Sequence, residues 1–203
     1  MDIYLIRHGE SRRSSSEYYD SDKKVMNPPL TENGIRQAEA LAGRCKALSF
    51  DAVFSSDLAR AVETAGKIIT ASPGKLIIDA AFREIDFGEI NFKSWDDFPD
   101  LYKKWTAHDD DTAYPSGESG GDVWRRCRPA LEKIIASDYK KAAVVCHGGT
   151  IRSIICGILD IPQQKRFYLG VPPENCSISI IKYNEKDKKI ILHTFNDYSH
   201  IKL

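Results

Sequence analysis

The feature that most constrains this chain is its regular alternation of short apolar runs with longer stretches of helical periodicity. Segments 2–7 (DIYLIR), 51–55 (DAVFS), 75–79 (KLIID) and 142–146 (AAVVC) read as strands. Between them, Ile35, Ala38, Leu41, Ala42, Cys45 and Leu48 recur at helical spacing over 32–48. Leu58, Ala61, Ala65 and Ile68 do the same after Ser56, a residue type suited to an N-cap, with Asp57 in the expected first turn. Val123, Cys127, Leu131 and Ile134 mark a helix over 119–135, and Ile151, Ile154, Ile155 and Ile158 another over 149–159. Two alternating runs, 177–183 and 189–195, are joined by the turn-like NEKDK and close the chain as a hairpin. Strands separated by helices line up in parallel and have both faces covered. The expected fold class is α/β: a three-layer α/β/α sandwich with a mainly parallel central sheet and an antiparallel edge strand.

Two stretches fall outside that rhythm. Residues 9–29 are polar, with serines at 14–16 and prolines at 28–29, and read as a loop. Residues 81–117 place Phe92, Trp95, Phe98, Tyr102 and Trp105 among many acids and end in the turn-rich YPSGESGG. They are expected to form short helices and loops, lid-like over 90–117. No repeat, low-complexity tract or linker interrupts the chain, so 1–203 reads as a single domain.

Charge and composition narrow the function. Lys plus Arg equals Asp plus Glu at 29 each, which disfavours a nucleic-acid partner. No apolar run approaches the roughly 18 residues of a membrane span. Five cysteines, an odd number without a CxxC pair, read as reduced buried thiols, and with no targeting motif the expected location is cytoplasmic. Cys146 adjoins His147 but lies in an apolar strand, where packing is the ordinary role. Homo-oligomerisation is left open.

Ligands of open α/β sheets bind beyond the carboxyl ends of the strands. The first strand delivers Arg7, His8, Gly9 and Glu10 there; the second delivers Ser55, Ser56 and, a turn later, Arg60. The third leads to Arg83 and Glu84, and 142–146 delivers His147, Gly148, Gly149 and Thr150. Arginine forks match phosphate oxygens two at a time. A strand that ends and opens a helix at glycines offers backbone N–H groups to an anion. Neutral imidazole can attack phosphorus, and a carboxylic acid can protonate the leaving oxygen. Singly, each has a plain structural reading: a hydrogen-bonded strand-end histidine, a solvated Arg60, a surface Glu84 paired with Arg83. Their arrival at one rim is what points to phosphoryl transfer. HxH, HExxH and GxxxxGK[ST] patterns are absent, which disfavours a metal site and a P-loop.

These residues sit in motifs that resemble the histidine phosphatase superfamily, the phosphoglycerate-mutase-like proteins. LIRHGES at 5–11, PLTENGIRQA at 29–38, SSDLARAVETA at 55–65, FREIDFGE at 82–89, SGES at 116–119 and VVCHGGTIR at 144–152 stand in that family's order. The tail, NCSISII and FNDYSHI, is similar to the branch containing α-ribazole phosphatases. The resemblance implies a small-molecule phosphomonoester substrate, with His8 as nucleophile forming a phosphohistidine. It implies that Arg7, Arg60 and His147 hold the phosphoryl group, that Gly148 adds a backbone N–H, and that Glu84 is proton donor and then base. No metal or organic cofactor is expected.

Two departures bear on specificity. Where the family often has Asn after RHG, counting places Ser14, a shorter donor to phosphate; Arg12 and Arg13 nearby read as solvated. Where the small phosphatases continue with Trp-Glu-Gly after the acid motif, this chain has Ile90-Asn91-Phe92. Trp95, Tyr102 and Trp105 read as a lid core rather than a stacking surface. The chain is shorter than mutases carrying an insertion after the acid motif, so the reading is a metal-independent phosphomonoester hydrolase, with α-ribazole 5′-phosphate as the named substrate. A phosphoglycerate-type mutase and a non-catalytic phospholigand-binding protein are the alternatives.

Overall fold

The computed structural model describes residues 1–169 and 172–201. Its main sheet has six strands: β1 (Asp2–Arg7), β4 (Ala52–Ser55), β5 (Lys75–Ile78), β6 (Lys141–Cys146), β7 (Ile178–Asn184) and β8 (Lys189–Asp197), in the order β5-β4-β6-β1-β7-β8. The first four in that order are parallel. The closing hairpin supplies the antiparallel edge: β7 runs against β1, and the outermost β8 against β7.

Alternation along the strands builds two cores. Ile3 and Leu5 of β1, with Ala142, Val144 and Cys146 of β6, face α4 (Gly120–Ile135) and α5 (Gly148–Ile158). Tyr4 and Ile6, with Ala143 and Val145, face α1 (Glu32–Cys45) and α2 (Ala59–Ala71). The three layers follow from period-2 strands that are apolar on both sides. The chain leaves β1 toward β4 and returns through β6, so strand order reverses between β1 and β6. The crevice beyond those two carboxyl ends is the topological switch point.

Two of the α-helices, α1 and α4, start with side-chain caps. The Thr31 side chain accepts the Gly34 amide at 2.9 Å, and Ser119 forms a reciprocal capping box with Asp122. Ser56, in contrast, does not cap α2. Leu58 is the N-cap, the helix begins at Ala59, and no acid lies in its first turn. Asp57 instead accepts two hydrogen bonds from Arg83, at 2.8 and 2.6 Å. A long-range bidentate pair has outcompeted the local dipole effect.

The polar stretch 9–29 carries more order than its sequence suggests, while the middle region forms short helices and loops as expected. Within 9–29 lie a 3-10 turn, Ser16–Tyr18, and a small hairpin of β2 (Tyr19–Asp20) and β3 (Val25–Met26). The middle region contains 3-10 turns at Gly88–Asn91 and Trp95–Asp97 and the helix α3 (Pro99–Ala107). Trp95 packs against Tyr102 and Trp105 with ring centroids 5.3 and 5.4 Å apart, and both tryptophans contact Tyr114.

Residues 9–10 are clamped to the start of α1. Thr31 donates its amide to the Glu10 carbonyl at 2.9 Å, and a Cβ on Gly34 would lie 1.9 Å from that same oxygen. Backbone cannot yield as a flexible side chain can, so only glycine fits there. Gly43, on the same helix, faces open space. Gly34→Ala is expected to lower stability by about 2 kcal/mol or more, whereas Gly43→Ala leaves it unchanged or raises it by up to about 1 kcal/mol. Urea unfolding of the two variants side by side checks this; coincident midpoints would refute the close approach.

Candidate active site

Pairing of β1 with β6 sets Arg7 opposite Cys146, and the residues that follow, His8 and His147, emerge side by side with ring centroids 5.0 Å apart. Nδ1 of His8 lies 2.6 Å from the Gly9 carbonyl, so this nitrogen carries the proton. The other ring nitrogen, Nε2, accepts from Arg60 Nε at 3.2 Å. Arg60 reaches it from the second residue of α2. Burial first, then the charges of Arg60 and Arg7, push the His8 imidazole well below its ordinary value, and the ring is neutral with its Nε2 lone pair turned to Arg60.

His147 is the N-cap residue of α5 and is fully buried. Its Nε2 is 3.0 Å from the Ser56 hydroxyl, and its Nδ1 has no hydrogen-bond partner among the described residues. Burial, Arg60 and His8 hold it well below its ordinary value too. Arg7 is anchored by a bond from Nη1 to the Pro173 carbonyl, while its buried Nε has no partner among the described residues. The same is true of Arg60 Nη1. Burial lowers the Arg60 guanidinium to about 10, so it stays charged at neutral pH. The result is a concave cluster of aimed donors around one imidazole nitrogen.

Glu84 does not pair with Arg83. Its carboxylate crosses to the start of α5 and accepts the Gly149 and Thr150 amides at 3.3 and 3.1 Å, besides the Ile85 amide at 2.9 Å. Two of the N–H groups expected to meet an external anion are therefore occupied by the chain's own acid. Gly148, the first residue of α5, is left facing Arg7, whose Nε lies 3.5 Å from where its Cβ would be. Arg7, Glu84 and Gly148 line one cavity of about 580 Å³. Ser14 lies with Arg60 and Glu84 on a small cavity of about 60 Å³. Arg7, His8, Arg60, Glu84, His147 and Gly148 are thus brought together, and Ser14 reaches the rim.

Several supporting roles could not be read from the strand ends. Ser56, delivered to the rim and also taken for a cap, orients His147. Asn175 donates from Nδ2 to the His8 carbonyl at 3.0 Å, and Thr64 accepts the Gly9 amide at 3.1 Å. Arg126 of α4 pairs with Glu118 at 2.8 Å and donates to the carbonyls of Ala81 and Glu84, at 2.7 and 3.0 Å, clamping the segment that carries Glu84. The NCSISII and SGES motifs held Asn175 and Glu118 in view, but nothing local said what they touch. Cys146 is buried, and burial pushes its thiol well above the ordinary value, which suits packing. Among the described residues, no group of three or more His, Cys, Asp or Glu is placed to hold a metal ion, and no helix is long and apolar enough to cross a membrane.

The profile of the histidine phosphatase superfamily (branch 1) matches residues 3–196. The chain belongs to that superfamily. It is an enzyme of the phosphatase and mutase kind, and the non-catalytic reading falls away. It is 29% identical to the probable phosphoglycerate mutase GpmB of Cronobacter sakazakii, over 99% of this chain and 95% of that one. A mycobacterial glucosyl-3-phosphoglycerate phosphatase structure superposes with a TM-score of 0.80 at 26% identity, covering 96% of this chain and 98% of that one. An Escherichia coli K-12 structure described as a candidate α-ribazole-5′-P phosphatase gives 0.79 at 23% identity, covering 98% and 97%, a likeness of fold.

The two neutral histidines make stability depend on pH. Unfolded, each takes up a proton near its ordinary value of about 6.5, whereas in the folded protein both sit well below it. The unfolded state then binds more protons, so stability falls as pH drops below about 6.5, by about 1.4 kcal/mol per pH unit for each histidine. His147→Gln is expected to flatten the slope between pH 6 and 5 by about that amount. Urea midpoints at pH 7, 6 and 5 measure it, and parallel slopes for wild type and variant would contradict the buried neutral ring.

Proposed function

We propose that the chain hydrolyses phosphomonoesters of a small metabolite through a phosphohistidine on Nε2 of His8, without metal or organic cofactor. The observation that carries this is the His8 ring: Nδ1–H is committed to Gly9 at 2.6 Å, so the basic lone pair is on Nε2, inside the arginine cluster. Nε2 attacks phosphorus in line, and the P–O bond to the alcohol breaks. Glu84 gives its proton to the departing oxygen. Water then attacks the phosphohistidine, Glu84 takes up its proton, the N–P bond breaks, and orthophosphate leaves.

Arg7, Arg60, His147 and the Gly148 amide spread the charge of the transferring group, and Ser14 adds a hydroxyl from the rim. The Ser56 oxygen already accepts the Leu58 amide at 3.3 Å, so its own proton is free to go to Nε2 of His147. That tautomer leaves Nδ1–H of His147 as a donor toward phosphate. The aromatic-cored region around 90–117 covers the leaving-group side as a lid within a single domain. Tail resemblance supports α-ribazole 5′-phosphate as a named substrate.

A phosphoglycerate-type mutase is the second reading, favoured by the full-length relatives carrying that name. Chain length does not separate the two, since this chain spans 95% of such a relative. The preference for hydrolysis rests on the likeness to the small phosphatases, among them the mycobacterial glucosyl-3-phosphoglycerate phosphatase at 26% identity.

Phosphate release from p-nitrophenyl phosphate, α-ribazole 5′-phosphate, sugar phosphates, nucleotides and 3-phosphoglycerate, with chelator present, is expected to show turnover that His8→Ala abolishes. Conversion of 3-phosphoglycerate to its 2-isomer with a bisphosphorylated primer, without phosphate release, would establish the mutase instead. Arg60→Ala is expected to cost about 100- to 1,000-fold in kcat. Glu84→Gln should slow alkyl phosphates far more than p-nitrophenyl phosphate, whose leaving group needs no proton; equal losses on both would remove Glu84 as the acid.

A further inference from the structure

Glu84 rides on a short irregular segment, and the residue before it makes a long-range bond that the chemistry above leaves without a purpose. Arg83 follows the 3-10 turn Ala80–Phe82 with extended backbone, φ −57° and ψ 158°. From there the two neighbouring side chains part. Glu84 goes to the start of α5. Arg83 goes to the loop before α2, where Nε and Nη2 donate to the two Asp57 oxygens at 2.8 and 2.6 Å and Nη1 donates to the Lys23 carbonyl at 3.4 Å. Each guanidinium nitrogen thus has a protein acceptor. Arg83 lines the small cavity with Ser14, Arg60 and Glu84, yet it is not placed as a phosphate ligand.

The carbonyls of the same two residues are held from the layer of α4 and α5. Thr150 Oγ1 donates to that of Arg83 at 2.7 Å, and Arg126 Nη2 to that of Glu84 at 3.0 Å. The Arg83 side chain ties the segment to the opposite layer. Its partner Asp57 stands three residues before Arg60, in a loop that is itself pinned: Lys23 Nζ donates to the Asp57 carbonyl at 3.3 Å, and the Asn27 side chain accepts the Ala59 amide at 2.7 Å. Hydrogen bonds from Arg83 hold the Asp57 carboxyl below its ordinary value, so the contact is a two-pronged ion pair. Only 26% and 17% of the two side chains are exposed, which shelters the pair from screening.

Arg60 acts on the phosphoryl group and Glu84 on the oxygen that leaves it, so both address one P–O bond from different layers. Misplacing such a group by about 1 Å costs about 100-fold. We propose that Asp57 and Arg83 are positioning residues, a pair that fixes the proton donor Glu84 relative to Arg60. This rests on the phosphomonoesterase reading, which gives Glu84 and Arg60 their roles. Arg60 stays seated on a helix of 13 residues when the pair is broken, so the loosening falls on the Glu84 segment, which has no regular element of its own.

A misplaced acid shows itself as dependence on the leaving group. kcat/KM is measured on p-nitrophenyl phosphate, phenyl phosphate and glycerol 3-phosphate, in order of rising basicity of the departing oxygen. Arg83→Met and Asp57→Asn are each expected to cost the last two esters about 10- to 100-fold and p-nitrophenyl phosphate less than about threefold. The double variant should lose no more than either single one, because the two residues act as a unit. Arg83→Lys, which keeps the charge without the fork, should recover part of the loss. Added to Glu84→Gln, Arg83→Met should change the rate on phenyl phosphate less than about threefold, since the acid it positions is already gone. Equal losses on all three esters overturn the proposal, because lost stability or a shifted Arg60 does not read the leaving group. Unchanged rates overturn it too, as does an Arg83→Met penalty that persists in Glu84→Gln. If Arg83→Met does not fold, by circular dichroism, Asp57→Asn and Arg83→Lys decide. A wild-type chain that releases phosphate from none of the esters removes the hydrolase reading and this proposal with it; an active wild type whose variants lose equally on all three removes this proposal alone.

Discussion

Six residue pairs join β1 to β6, from Asp2 opposite Lys141 to Arg7 opposite Cys146, and that register sets the two histidines side by side. The ladder continues one step further, with the His8 amide donating to the Cys146 carbonyl at 3.0 Å. Both strands are buried on both faces, so a slip of one residue would exchange the two cores and is strongly resisted. With the register set, α2 brings Arg60 to His8, and α5 starts at His147. The two histidines are therefore held directly by the centre of the sheet.

Around that ladder the fold places polar groups whose only purpose in packing terms would be costly. Arg7, Arg60, His8 and His147 are withdrawn from water next to one another, and the histidines respond by staying neutral. Neutrality is what a nitrogen nucleophile requires, so the electrostatic cost of clustering arginines and the activation of the imidazole have the same origin. The hydrogen bond to Gly9 then selects which nitrogen is free. The C-terminal tail reinforces the arrangement from outside. Asp197 pairs with Arg44 of α1 at 2.5 Å, His200 contacts the Cys176 carbonyl at 3.0 Å, and Asn175 holds the His8 carbonyl.

Glu84 illustrates how a helix N-terminus can serve the protein's own acid. The Gly149 and Thr150 amides receive its carboxylate, and Arg126 with Glu118 fixes the backbone on which it rides. Its position depends on three elements distant in sequence. Beyond it the cavity is walled by Arg152 and Arg166 among the rings of Trp105, Tyr114 and Phe167.

The order of strands and helices was legible because each element buries a periodic face, and periodicity is written locally: Ile3 and Leu5 against Tyr4 and Ile6, or Val123, Cys127, Leu131 and Ile134. Most of the site was legible as well, because the strand-end rule places His8, Arg60, Glu84 and His147 at one rim whatever the details. What local sequence could not decide was partner choice among polar side chains. Ser56 has the chemistry of a cap, yet its hydroxyl is taken up by His147, 91 residues away. Arg83 stands beside Glu84 but binds Asp57, while Glu84 crosses to α5. The small hairpin inside 9–29 also escaped, since strands of two residues are too short for a periodic signal. Apolar burial depends on pattern and is readable along the chain. Hydrogen-bond and ion-pair partners depend on distance and direction in space, and only the packed tertiary structure sets those.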